Sequence, residues 1–272
     1  MKFFTAILSL LLVWGAPVAA ADYSEVALSG SVAQGGLVYG TVAPGTKVLL
    51  DGKVVKVGRN GEFVFGFGRD AASTASLVII NRNGTRKEQV LDVEQRTFAI
   101  ERVEGLPPKT VTPPPEWTER RRIETGRVGK ARSFSTDDIF WQQGFARPAE
   151  GRFSGFYGSQ RILNGKPRSP HYGLDIAGPV GRPITAPAGG TVRLAAGDFL
   201  LEGGIVIIDH GHGVTSTLFH MNSVEVSEGQ LVEKGTPIGT IGAKGRANGP
   251  HVDWRVNWGK VRLDPLLLIE KE

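Results

Sequence analysis

Between about Val26 and Ile100, apolar and polar residues alternate in short runs broken by turn signals, and no run keeps a helical period. In "KVLLDGKVVKV", Asp51-Gly52 separates two β-prone runs, the strongest short-range signal for a hairpin. In "RNGEFVFGF", Phe63, Phe65 and Phe67 occupy alternate positions after Asn60-Gly61, which predicts a strand with one buried face. "SLVIINRNGTRKEQVLDV" repeats the logic around Asn83-Gly84. Strands this short, at this spacing, predict a small immunoglobulin-like β-sandwich. The stretch has no histidine and no clustered carboxylates, so it reads as a positioning or binding module.

After Phe145 the β pattern returns with far more glycine. "ITAPAGGTVRLA", "GGIVIIDHGHGVTSTLFHM" and "GQLVEKGTPIGTIGA" each give a strand bounded by glycines, with no long amphipathic helix between them. The predicted fold class is therefore all-β, the sandwich being followed by a compact, glycine-rich and mostly antiparallel domain over residues 151–268. Residues 102–150 differ in character. "GLPPKTVTPPPEW" is proline-dense and should be extended, whereas "ERRRIETGRVGKAR" is charged and could form one exposed helix; together they read as a linker.

The opening "MKFFTAILSLLLVWGAPVAAAD" has one cation at Lys2, an apolar run from Phe3 to Trp14, and Ala19 and Ala21 at the small positions of a cleavage site. Residues 1–21 thus read as a signal peptide, the run being shorter than the ~20 residues a membrane span needs. That leaves 22–101 for the sandwich and predicts a periplasmic or secreted chain, not an integral membrane protein. With no cysteine among 272 residues, disulfides, thiolate metal sites and cysteine nucleophiles are excluded. The formal charge of +5, one unit lower without Lys2, suits anionic polymers of an envelope but is too scattered for nucleic-acid binding.

All five histidines, at 171, 210, 212, 220 and 251, lie in the second half. In "SPHYGLDIAGP", a turn after His171 could bring its imidazole and the Asp175 carboxylate to one point, and both are standard zinc donors. In "HVD", His251 and Asp253 share one face of a strand while Val252 points to the other; the pair reads either as half of a metal site or as a solvent-facing strand edge. His220 ends "VTSTLFH" and could reach back across the sheet towards His251, as a packed polar residue or as a transition-state donor. His210 and His212 flank Gly211 in what reads as a hairpin turn, which predicts structural or exposed loop residues.

Together "PHYGLDIAGPVGRPITAPAGGTV", "STLFHM" and "GRANGPHVDW", in that order, resemble the motifs of the lysostaphin and LytM-like zinc metallopeptidases, exported enzymes that cut peptide cross-links of bacterial peptidoglycan. The resemblance runs from about Arg152 to Pro265. It implies a metallopeptidase domain acting on peptidoglycan peptides, zinc held by His171 and Asp175, and His220 and His251 as unliganded catalytic histidines beside it. The third ligand is Asp253 where the family has histidine.

Aspartate is itself a zinc donor, but a second carboxylate neutralises a divalent cation fully. The resulting site should acidify water less, tolerate manganese beside zinc, and work more slowly or at higher pH. The resemblance also admits a catalytically degenerate relative that binds peptidoglycan or regulates another hydrolase, and the N-terminal module leaves room for an envelope protein partner.

Overall fold

The computed structural model describes residues 26–106 and 108–270, so the signal-peptide reading of 1–21 lies outside the described residues. The N-terminal unit contains β1 (Leu28–Gly30), β2 (Leu37–Thr41), β3 (Lys47–Leu50), β4 (Lys53–Val55), β5 (Glu62–Gly66), β6 (Thr74–Ile80) and β7 (Arg86–Asp92). They form two sheets, ordered β1-β2-β5 and β4-β3-β6-β7, around a core that includes Phe63, Phe65, Phe67 and Leu77. The β3–β4 hairpin turns at Asp51 and Gly52, with φ of 47° and 75°, the left-handed pair that a two-residue turn requires.

The phenylalanines of β5 face the sandwich core, but the opposite face is not solvated. Every residue of β5 is buried, because Val64 and Leu37 join the core of the C-terminal domain with Trp141, Phe145 and Trp254. The two units therefore share one apolar seam, extended by the Tyr39–Trp141 stack at 5.6 Å and by an ion pair of Arg96 with Asp264 at 2.7 Å.

The rest of the chain holds β8 (Ile100–Val103), α1 (Pro108–Val111), α2 (Thr118–Arg132), β9 (Arg152–Gly155), β10 (Gln160–Leu163), β11 (Lys166–Pro167), β12 (Leu174–Ala177) and β13 (Pro183–Thr185). Then follow β14 (Gly190–Phe199), β15 (Gly203–Gly211), β16 (Val214–Val224), β17 (Leu231–Val232), β18 (Pro237–Ile241), β19 (His251–Trp258) and β20 (Val261–Leu263). A sheet ordered β17-β14-β15-β16-β19-β12-β9, with β13, β18 and β20 attached, forms the domain; its pairings are antiparallel.

The chain between the two β units is packed against the second. β8 pairs in parallel with β10, aligning Glu101 with Arg161, and α2 lays Ala131 on an apolar patch of Leu194, Phe199, Ile205, Ile207 and Phe219. The buried Glu124 accepts hydrogen bonds from Arg120, Arg121 and the Leu200 amide, which fixes the helix on the sheet.

His210 is not a loop residue. It ends β15 fully buried, its Nδ1–H donating to Gly189 O at 2.6 Å and its Nε2 accepting from Ser216 Oγ at 2.8 Å. Ser216 Oγ in turn accepts from Trp254 Nε1 at 3.2 Å, so every polar atom in this chain of contacts is paired when the ring is neutral. His212 does sit in the turn, but is buried against Trp141 with ring centroids 5.5 Å apart.

Burial pushes His210 from 6.5 down to about 4. An unfolded chain takes up this proton first, so the stability contributed by the neutral ring is complete above about pH 6.5 and is lost as pH falls towards about 4. The loss amounts to about 3 kcal/mol at ~1.4 kcal/mol per unit. Thermal melts between about pH 6.5 and 4.5 should show a Tm that falls with pH. His210→Asn should flatten that slope by up to one proton; an unchanged slope would remove His210 as a contributor.

Candidate functional site

The sheet register sets the site. β12 and β19 pair antiparallel with Asp175 directly opposite Asp253 and Ala177 opposite His251. Two carboxylates on one cross-strand pair repel and are costly to bury. Both are nonetheless buried, and the sequence makes room for them with glycine: a methyl on Gly155 would collide with Asp175 Oδ2, and one on Gly173 with Asp253 Oδ1.

His171, on the turn before β12, completes the cluster. Its Nε2 lies 3.2 Å from Asp175 Oδ1 and 3.5 Å from Asp253 Oδ1, and the three donor atoms lie within 4.8 Å of one another. A tetrahedral zinc with donors at about 2.0–2.2 Å would set them about 3.3–3.6 Å apart, so these side chains fit a metal. His171 Nε2 and Asp175 Oδ1 are also buried without a hydrogen-bond partner, as atoms awaiting a ligand would be.

Arginines surround the cluster. Arg255, two residues after Asp253 on the same strand face, donates to both its carboxylate oxygens at 2.5–3.1 Å. Arg161 on β10 donates through Nη2 to Asp175 Oδ2 at 3.0 Å and to His171 Nδ1 at 2.6 Å, and through Nε to Glu101 at 3.2 Å. A guanidinium has no acceptor, so His171 Nδ1 must accept, and in a neutral ring the proton belongs to Nε2 between the carboxylates. A metal at Nε2 would take that proton's place.

Burial opposes charge on all three residues, but their mutual attraction outweighs it. The Asp175 and Asp253 carboxylates hold His171 above the ordinary imidazole value despite its burial. His171 holds Asp175 below the usual carboxylate range, against burial and against Asp253. Arg255 and His171 hold Asp253 well below it. The two carboxylates thus favour a positive group at Nε2, whether its own N–H or a metal in that proton's place.

His220 and His251 sit beside this cluster, with ring centroids 4.8 Å apart. β16 continues through His220 to Val224 across an irregular pairing with β15, and a left-handed φ of 62° at His220 marks the break. His220 Nδ1 lies 2.8 Å from Lys244 O and His251 Nδ1 lies 2.8 Å from Gly249 O. Carbonyls only accept, so both Nδ1 atoms carry hydrogen, and each neutral ring presents a lone pair at Nε2. Burial, and then the neighbouring His251, pushes His220 down to about 4, which keeps it neutral at pH 7. His251 Nε2 is 3.9 Å from Asp175 Oδ1.

A groove of about 320 Å³ opens over these groups, lined among others by Arg152, Arg161, Asp175, His220, Arg246 and His251. The structure therefore brings together every residue singled out from the sequence motifs: His171, Asp175, Asp253, His220 and His251. It adds Arg161, Arg255, Gly155 and Gly173. Arg255 had a signal in its two-residue spacing from Asp253; Arg161, on a different hairpin, had none.

The second half of the chain is similar to known proteins. Residues 169–265 match Peptidase family M23. Over 88 residues the chain is 33% identical to peptidoglycan DD-endopeptidase ShyA of Vibrio cholerae, covering 32% of this chain and 20% of that one. Over 102 residues it is 37% identical to the lipoprotein NlpD/LppB homologue of Pseudomonas aeruginosa, covering 38% and 32%. The chain thus spans about a fifth to a third of these curated relatives. A crystal structure of an M23 peptidase from Pseudomonas aeruginosa superposes with a TM-score of 0.66 at 27% identity, covering 88% of this chain and 95% of that one.

The two glycines supply a test of the site that spares its polar groups. Gly155→Ala and Gly173→Ala should each displace one carboxylate and weaken zinc binding, measured by titration calorimetry, by about 10–100-fold, as loss of outer support typically does. Unchanged affinity in both variants would show that neither carboxylate binds the ion.

Proposed function

With residues 169–265 a Peptidase family M23 domain, we propose that the chain is an exported zinc metalloendopeptidase that hydrolyses peptide cross-links of bacterial peptidoglycan. The observation that carries this reading is the buried cluster of His171, Asp175 and Asp253, whose donor atoms lie within 4.8 Å of one another, at a groove lined by Asp175 and by two histidines, His220 and His251, with Nε2 lone pairs. ShyA's name describes a peptidoglycan endopeptidase, which supports the substrate class. The leader-like residues 1–21 support export, and among the described residues no helix is long and apolar enough to cross a membrane.

His171, Asp175 and Asp253 would hold the ion, which when bound supplies a Lewis acid to polarise the scissile amide and activate water. The remaining work falls to the protein's own side chains. His251 would be the general base: it lines the groove with a lone pair at Nε2, which lies 3.9 Å from Asp175 Oδ1. His220, kept neutral by burial with its Nδ1–H on Lys244 O, would offer its Nε2 lone pair as an acceptor to the attacking water or to the scissile amide N–H. The Nδ1–H bonds to Gly249 and Lys244 hold both rings in the required orientation.

One observation favours a second reading. Arg255 grips Asp253 in bidentate fashion and Arg161 occupies His171 Nδ1, so two guanidiniums already balance the two buried carboxylates. A chain stabilised in this way could bind peptidoglycan or regulate another hydrolase without cutting.

Metal content and hydrolysis separate the two. For the peptidase, the purified protein dialysed against trace zinc should retain near-equimolar metal that Asp253→Ala loses, and His171→Ala, Asp175→Ala and His251→Ala should each abolish cleavage of purified peptidoglycan. Undiminished cleavage by His171→Ala would sink the peptidase reading, and absence of retained metal together with absence of cleavage would favour the second.

A further inference from the structure

One cation in the groove has no role in holding the site together. Arg161, Arg255 and Arg121 each bind protein carboxylates, on Glu101 and Asp175, on Asp253, and on Glu124 and Glu202. Arg246 lines the same groove, half-buried, and among the described residues its guanidinium makes no hydrogen bond or ion pair. Its five donors are therefore available, beside the candidate catalytic centre, to a ligand that enters the groove.

The backbone holds Arg246 in fixed relation to the two histidines. Its amide donates to Leu201 O at 2.9 Å; two residues earlier Lys244 O accepts from His220, and three residues later Gly249 O accepts from His251. Gly245 between them has φ of 73°, and a methyl there would collide with Leu201 O, so the loop is closely seated. Arg152, also lining the groove, is exposed and likewise unpaired among the described residues, so that Arg152, Arg161 and Arg246 outnumber the lining carboxylates Glu101 and Asp175.

We propose that Arg246 is a specificity residue that binds a free carboxylate on the substrate, so that the groove selects peptides carrying such a carboxylate close to the bond to be cut. The proposal rests on the peptidase reading for the identity of the ligand as a peptide. Its physical basis is the planar fork of donors, which matches a carboxylate in bidentate fashion and gains most where water is partly excluded. Burial and the nearby Arg255 and Arg161 disfavour the Arg246 charge, and an arriving anion offsets all three effects.

Binding, which needs no turnover, tests it. Calorimetry on the full chain would compare a synthetic peptidoglycan stem tetrapeptide bearing a free C-terminal carboxylate with the same peptide amidated at that end, and with inorganic phosphate alone. The free acid should bind at least tenfold more tightly than the amide. Arg246→Ala should erase that difference while leaving amide binding and Tm unchanged, and Arg246→Lys should restore it only in part.

Equal binding of acid and amide, binding of neither, or a preference that survives Arg246→Ala would overturn the proposal. So would Arg246-dependent binding of phosphate with no peptide preference. If the acid preference depends on Arg246 but the protein cuts no peptidoglycan, the recognition residue stands and the peptidase reading fails. If the protein cuts peptidoglycan while Arg246→Ala leaves the preference intact, the reverse holds.

Discussion

Two buried carboxylates, Asp175 and Asp253, face each other across one antiparallel strand pair, and the architecture around them is arranged to make that tolerable. Isolated, each charge would favour protonation or unfolding. His171 places one imidazole nitrogen between them, Arg255 and Arg161 each bring a guanidinium to an outer edge, and Gly155 and Gly173 leave the space the carboxylate oxygens fill. Removing His171, Arg255 or Arg161 leaves a buried charge short of a partner, and a side chain at either glycine would collide with a carboxylate oxygen.

The same arrangement decides the chemistry. A cluster that holds its carboxylates ionised and its imidazole nitrogen between them has a place for one cation, and proton and metal compete for it. Asp253, where the metallopeptidases that the chain resembles have histidine, would lower the net charge of a loaded site, and Arg255 on the same strand face returns one positive charge. The substitution and its arginine are better understood as one unit than as the loss of a ligand. Alongside, His220 and His251 each bond a carbonyl of the loop between β18 and β19, so one loop supports both candidate catalytic groups and lines the groove.

The N-terminal sandwich is tied to this centre as well. β5 lies between two cores, and the strand that leaves the sandwich region, β8, pairs with β10 so that Glu101 meets Arg161 beside His171. The N-terminal unit therefore packs on the C-terminal domain, and the strand that follows it sends one side chain to the edge of the site.

The sequence by itself determined what depends on neighbours one to four residues away. Asp51-Gly52 specified a hairpin, alternating Phe63, Phe65 and Phe67 specified a strand, glycine-bounded runs specified an all-β second half, and the HxxxD and HxD spacings picked out residues that the fold brings together. These are properties of turn chemistry and of the two-residue strand period. Only the tertiary structure decided the rest: that Asp175 sits opposite Asp253, that Arg161 reaches them from another hairpin, that Val64 buries the second face of β5, and that His210 is a neutral core residue. Each of these depends on register and packing between segments far apart in the chain, where a side chain's partner, and hence its charge and burial, leaves no trace in the residues beside it.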